Sequence, residues 1–148
     1  MSSGESGGVF LSDSGVHCIA AAIVQCVEAC LDRTVAAMRF EYDVEAFAVV
    51  GFSVHRQGGM TQGVLLEIAP VQRELQAFMA SQRGGGAKDD SNVFDALERA
   101  FRAAWARVRA NWPDVRGFIC PHDTQYVVDL DSGEQMPESS TGIDFWGN

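Results

Sequence analysis

The chain has 148 residues, a length typical of one domain, and 47% of them are hydrophobic, which is enough for a buried core. Twenty acidic residues against eleven basic ones give it a formal net charge of −9 at pH 7. This acidity excludes binding to nucleic-acid phosphates by bulk charge, because such binding depends on Lys and Arg, and it favours basic proteins or cationic ligands as partners.

The amino-terminal region shows no targeting signal. Residues 1–11 are rich in Ser and Gly, and we expect them to form a flexible lead-in to a single α+β domain over residues 12–133. The first 32 residues contain no Lys or Arg, and the longest early apolar run, residues 19–24, is too short to span a membrane. We therefore expect a cytoplasmic protein with no membrane contact.

A helical repeat of apolar residues follows the lead-in and predicts an amphipathic helix from about Ser12 to about Thr34, with an N-cap at Ser12, Asp13 or Ser14. Two cysteines fall on its apolar face and are expected to be buried and structural. No cysteine belongs to a CxxC pair, so no metal site is expected. The glycines at residues 84–86 lack a GxGxxG or GxxxxGK(S/T) pattern, so no nucleotide cofactor is expected either. The repeating positions are Val16, Ile19, Ile23, Cys26, Val27, Cys30 and Leu31.

The period then changes to two, which predicts strands. A first strand alternates apolar with charged residues, and a second covers residues 47–55 after a short link at residues 43–46. Residues 64–68 fit either a third strand or the approach to a helix. The first strand alternates Met38, Phe40, Tyr42 and Val44 with Arg39, Glu41 and Asp43.

The second half of the chain predicts two helices and a terminal hairpin. Pro70 fits the first position of a short helix that extends to about Met79. A loop is predicted over residues 81–92, because it contains three consecutive glycines and two adjacent aspartates. A second long helix begins at Ser91 or Asn92 and ends before Pro113.

The terminal hairpin comprises residues 115–120 and 125–130. Residues 134–148 lack periodicity but end in large apolar residues, so we expect this tail to dock on the body. The element order predicts an α+β fold of two layers, with an antiparallel sheet of four to five strands packed with two long helices and one short helix.

One short motif offers catalytic groups. Cys120, His122 and Asp123 combine a thiol, an imidazole and a carboxylate, which together can form a nucleophilic site. Pro and Asp are also ordinary turn residues, and a hairpin turn is the favoured interpretation. A small cysteine-dependent enzyme stays open as the least favoured alternative, and it requires a low thiol pKa and rapid alkylation of Cys120.

Spaced acidic residues provide the candidates for partner binding. Residues two apart in a strand share one face, so Glu41, Asp43 and Glu45 would form an acidic face that meets either solvent or the Arg and Lys side chains of a partner. A calcium site is excluded because no twelve-residue loop with a terminal acid is present. The same patch could be extended by Asp89, Asp90, Asp129 and Asp131.

The order of elements resembles a known family. A long helix precedes a hairpin, and a later helix reaches Trp112 before Phe118-Ile119-Cys120, a polar turn and residues 126–131. This arrangement resembles the YezG-like immunity proteins of bacterial polymorphic-toxin systems of the contact-dependent inhibition type, in element order over most of the chain and in residues around 112–131. The resemblance implies a small cytoplasmic antitoxin that binds a cognate toxin domain and occludes its active or substrate-binding surface without chemistry of its own.

We therefore expect a non-enzymatic protein that neutralises a basic toxin domain, such as a nuclease, with a monomer favoured. The alternative is an acidic secretion chaperone of the type III kind. Such a chaperone would dimerise and bind a partly unfolded segment of its effector, whereas an immunity protein would bind a folded toxin domain.

Overall fold

The computed structural model describes residues 10–61, 63–83 and 91–147. The predicted lead-in and the predicted 81–92 loop lie mostly outside these ranges, and the α+β class is confirmed. Short 3-10 turns follow the third helix (Arg109–Asn111) and the last strand (Glu138–Ser140). The elements are α1 (Asp13–Cys30), β1 (Val35–Tyr42), β2 (Val49–His55), β3 (Val64–Leu65), α2 (Ala69–Arg83), α3 (Ser91–Val108), β4 (Arg116–Pro121), β5 (Tyr126–Asp129) and β6 (Gln135–Pro137).

The strands of the described ranges form one mixed sheet of six, in the order β3-β2-β1-β4-β5-β6. Strand β1 lies inside the sheet, antiparallel to β2 and parallel to β4, with Tyr42 opposite Pro121. The prediction of a wholly antiparallel sheet with four to five strands is therefore wrong in detail. A parallel pair needs a long crossover, and the chain that contains α2 and α3 supplies it.

The helices begin where the sequence predicts but differ in length. The side chain of Ser12 caps α1 by accepting a hydrogen bond from the N–H of Gly15 at 3.1 Å. Helix α1 stops at Cys30, before the predicted end, and Asp32 accepts hydrogen bonds from the N–H and hydroxyl of Thr34 that compete with helical bonding. Helix α2 has 15 residues against 18 in α1 and in α3, so it is not the short helix that was predicted. No helix in the described ranges is long and apolar enough to cross a membrane.

The helices cover one face of the sheet and form the main core with it. Met38, Phe40 and Tyr42 point into this core, as the alternation predicts. Trp105 of α3 is fully buried, 6.4 Å from the ring of Phe40 between centroids. This face therefore contains most of the apolar side chains that the sequence pattern identifies.

The opposite face of the sheet carries a second, smaller core that contains Phe118 and Val127. Residues 138–147, which we call the C-terminal segment, lie across it. The carbonyl of Thr141 accepts a hydrogen bond from Arg116 at 2.7 Å, and the ring of Phe145 is 1% exposed and packs edge-on against Phe118 at 5.6 Å. The second face is therefore not a solvated one.

Candidate functional site

The loop between β1 and β2, residues 43–46, is fixed by hydrogen bonds at both ends. The carboxylate of Asp43 accepts bonds from the N–H groups of Glu45 at 2.7 Å and Ala46 at 3.3 Å. The carbonyl of Asp43 accepts a bond from the N–H of Phe47 at 2.8 Å, and the side chain of Gln72 on α2 donates to Ala46 at 3.2 Å. The loop thus has a defined shape before any partner binds.

Backbone strain marks the same end of the sheet. In the described residues two non-glycine residues have positive φ, Phe47 at 58° and Asp123 at 64°. Such a conformation costs a bulky residue about 1–3 kcal/mol and persists only where packing enforces it. Phe47 is fully buried and lies 5.7 Å from the ring of Phe94, which supplies that packing. The turn that contains Asp123 is tied to β1, because the N–H of His122 donates to the carbonyl of Tyr42 at 2.9 Å.

Exposed carboxylates surround these two turns. We call the set formed by Asp43, Glu45, Asp95 and Asp123 the acidic end. Asp95 belongs to this set because the preceding residue on α3, Phe94, stacks on the ring of Tyr42 with 6.1 Å between the centroids, and Tyr42 directly precedes Asp43. Within the described ranges no Lys or Arg bridges any of the four carboxylates, and the exposed apolar side chain of Val44 stands between two of them.

Glu41 does not share this exposed surface, although the strand pattern predicts that it does. Its side chain is 8% exposed and lies between Arg39 Nε at 2.7 Å and His122 Nδ1 at 3.0 Å. The alternation correctly places Glu41 and Arg39 on the face opposite the helices. That face is covered by the C-terminal segment, and Glu41 is therefore part of a buried network.

Arg39 is the centre of that network and is 1% exposed. It donates to Glu138 Oε2 at 2.5 Å, and its guanidinium lies 4.9 Å from the ring centre of Phe145 and 5.4 Å from that of Trp146. A buried guanidinium with two carboxylates and aromatic faces has the partners that burial of a charge requires. These contacts attach the C-terminal segment to β1.

The remaining predicted acidic residues do not extend the acidic end. Asp131 accepts hydrogen bonds from the indole of Trp105 and from Arg109, and Asp129 accepts them from amides of its own turn and lies 3.5 Å from Arg116. Both lie towards the amino-terminal end of β4, away from the two turns that contain Phe47 and Asp123. Asp89 and Asp90 lie outside the described residues.

The thiol of Cys120 does not have the properties that a nucleophile needs. It is fully buried, and burial raises its pKa to about 12, although the charge of Arg39 offsets part of that effect. His122 directs one ring nitrogen to Glu41 and the other to Asp123 at 3.5 Å. The arrangement gives the motif a turn geometry and no activated thiolate.

Sequence reasoning missed two members of the acidic end, Asp95 and Asp123, because their position depends on which strand pairs with β1. The helical pattern places Asp95 on the polar side of α3, and the turn residues place Asp123 on the surface, but neither pattern brings them together.

No protein-family model matches this chain, and no curated protein or solved structure is significantly similar to it.

Proposed function

We propose that this chain is a non-enzymatic immunity protein that binds a basic toxin domain, such as a nuclease, and blocks its active or substrate-binding surface. The observation that carries the proposal is the acidic end, with its exposed carboxylates on turns of fixed shape. The resemblance to YezG-like immunity proteins suggests the same class. In this proposal the protein acts as a monomer in the cytoplasm.

Charge complementarity favours a basic partner at this surface. A nuclease domain needs Lys and Arg to bind phosphates, and carboxylates presented at similar spacing can pair with the same cations. Asp43, Glu45 and Asp95 are unbridged within the described ranges, so a partner's cations would not have to displace an internal ion pair. Val44, which is 46% exposed, adds an apolar contact at the centre of the surface.

The fixed shape of the loops also favours binding. Ordering a mobile loop on association consumes binding free energy, whereas the 43–46 loop is already held by Phe47 and by hydrogen bonds. Connecting β1 to β2 does not by itself require a bulky residue with positive φ at position 47, because common hairpin turns place Asn or Gly at such positions. A conformation kept at such a cost is consistent with a binding role.

The proposal predicts that a neighbouring reading frame encodes a basic toxin domain, and that domain is the partner used in the binding test. The double variant Glu45→Lys, Asp95→Lys, which keeps the Asp43 carboxylate that holds the loop, should associate with that domain about tenfold more slowly than the unmodified chain in low salt, since steering depends on local charge. Stopped-flow fluorescence at several salt concentrations measures the rate. Glu41 is left unchanged, because reversal of its charge would place a second cation against Arg39 in the buried network.

The matched control is Glu28→Lys, Asp114→Lys, which changes the net charge equally on exposed residues at the other end of the molecule. Equal slowing in both variants would mean that only net charge matters and that the acidic end is not the interface. Co-expression gives the functional readout: the unmodified chain should protect cells from the toxin domain. Failure to bind or protect, or an obligate dimer by light scattering, would count against an immunity protein.

A further inference from the structure

A groove separates α3 from the turn that joins β5 to β6. Its volume is about 230 Å³, and it shares Asp95 with the acidic end but does not include the 43–46 loop. Along α3 the groove passes from acidic to basic side chains. Its lining residues are Asp95, Glu98, Arg99 and Arg102 on the helix and Val128, Gly133 and Gln135 on the sheet.

Among the described residues, Arg102 differs from the rest of this groove in having a buried polar atom without a hydrogen-bond partner. Its Nε atom is buried and has no hydrogen-bond acceptor in the part of the chain that the structure describes. Buried polar groups nearly always have a partner, and a guanidinium cannot lose its charge at physiological pH. This cation therefore lies in the groove without an anion bonded to its Nε.

Neither of the acidic side chains that line this groove, Asp95 and Glu98, is bonded to Arg102 in the described chain. Glu98, one turn earlier on α3, accepts a hydrogen bond from the hydroxyl of Tyr42 at 2.7 Å, and burial raises the pKa of its carboxyl. Asp131 is bonded to Arg109. No carboxylate of the described chain is thus bonded to Arg102.

Gly133 holds the guanidinium of Arg102 in place. A Cβ at position 133 would lie 2.5 Å from both Cζ and Nη1 of Arg102, so the guanidinium packs directly over the backbone of the turn. The φ of Gly133, 78°, also favours glycine. The turn therefore leaves the space that the guanidinium occupies and restricts its movement.

We propose that this groove binds a carboxylate, with Arg102 as the cation that receives it. A planar carboxylate matches a guanidinium by paired hydrogen bonds, and the groove is large enough for an acidic side chain or a small carboxylic acid. Asp95 and Glu98 line the same groove and repel a divalent phosphate more strongly than a monovalent carboxylate. The site does not depend on the toxin-neutralising function.

The experiment follows the Nε–H signal of Arg102 in ¹H–¹⁵N spectra while sodium acetate is added, with sodium chloride at equal ionic strength as the reference. We expect a saturable shift with acetate and not with chloride. N-acetyl-aspartate amide, which mimics a protein side chain, is titrated in parallel. Tighter binding of this amide assigns the site to an acidic side chain of a partner, and tighter binding of acetate assigns it to a small free acid.

Variants establish which residue binds. Arg102→Lys should weaken acetate binding about tenfold, because it keeps the charge and loses the paired geometry. Arg107→Gln, on the exposed side of the same helix, should leave binding unchanged. Gly133→Ala should weaken binding by displacing the guanidinium, whereas Gly142→Ala, which has a similar φ of 77° but no atom within 4 Å of the added Cβ, should not.

Three results would overturn the proposal. They are a shift that chloride reproduces, binding of inorganic phosphate as tight as that of acetate, or equal loss of binding in the variants at positions 102 and 107. The titration of the unmodified protein decides the first two without any variant, so the proposal stays testable if Arg102→Lys fails to fold.

Discussion

Gly117 on β4 is required by the size of its neighbour. A Cβ at this position would lie 2.8 Å from two ring atoms of Trp105, closer than packed atoms approach. Trp105 is fully buried and its indole N–H donates to Asp131 at 3.1 Å, so it is held from two sides and cannot move away. A central strand of this sheet thus carries a glycine for reasons of space.

We predict that Gly117→Ala lowers the free energy of unfolding by about 1–3 kcal/mol through overpacking. Urea denaturation measures the change. The control is the same substitution in a Trp105→Phe background, where the smaller ring should reduce the effect of the added methyl group. An effect of equal size in both backgrounds would show that contact with the indole is not the cause.

Burial of single residues could be predicted from the sequence on one face of the sheet only. The alternation predicts that Met38, Phe40, Tyr42 and Val44 share the core face; the first three are buried, but the strand ends at Tyr42 and Val44 is exposed. It also correctly places Arg39 and Glu41 on the opposite face. The alternation predicts which face of the sheet a side chain occupies, but it does not predict what covers that face. The cover is the C-terminal segment, whose position has no periodic signal.

The C-terminal segment acts as an element, although most of it is irregular. Phe145 fills the second core and Trp146 lies 60% exposed over Arg39, with its indole N–H donating to Glu138 at 2.9 Å. The segment thus closes one face of the sheet by apolar contact and by ion pairing together. Its attachment determines whether Phe118 meets protein or water.

We predict that Phe145→Ala destabilises the protein by about 3 kcal/mol, the usual effect of deleting a buried aromatic ring. Amide hydrogen exchange should accelerate at Phe118 and Val127, beneath the segment, before it does in α1. Trp146→Ala is the matched control and should cost less than about 1 kcal/mol, because the ring is largely exposed. If both variants lost a similar amount of unfolding free energy, burial of the Phe145 ring would not be the cause of the destabilisation.

Helices were easier to predict than strand pairing, and the reason is distance along the chain. The apolar repeat that defines α1 or α3 is contained within the element itself. The partner of β1 is a strand that begins at Arg116, and no pattern within residues 35–42 specifies it or its direction. The acidic end depends on this pairing, so only its Asp43 and Glu45 were found from the sequence.

At the scale of the whole molecule, acidic side chains differ in whether an arginine neutralises them. Asp129 and Asp131 are paired with arginines, whereas the acidic end and the exposed Asp114 have no arginine or lysine partner in the described ranges. The net charge of −9 therefore does not act as a uniform field. It acts through the carboxylates that no arginine of the described ranges neutralises, and the acidic end contains four of them.

The buried network also makes stability depend on pH. Arg39, Glu41 and Glu138 together carry one excess negative charge, which His122 balances when it is protonated. The hydrogen bond to Glu41, followed by the charge of Asp123, raises the pKa of His122. Because the folded-state pKa lies above the unfolded value of about 6.5, His122 contributes stability fully below that pH, and the contribution is lost as pH rises through the folded-state pKa.

We predict that the difference in unfolding free energy between the unmodified chain and His122→Gln is larger at about pH 5.5 than at about pH 8.5. Urea denaturation at the two pH values measures it. The control is His17→Gln, an exposed histidine of α1 with no ion pair in the described part of the chain. A difference that is constant with pH would exclude a charged role for His122.

The parallel pairing of β1 with β4 has a consequence for synthesis. One edge of β1 pairs with β2 at once, but the other waits until residue 121 of 148 has left the ribosome. During that interval the nascent chain exposes a row of unpaired backbone groups beside Phe40, which is a template for aggregation. Because β1 and β4 are far apart along the chain, their pairing forms late, and translation speed between β2 and β4 should influence the yield of folded protein.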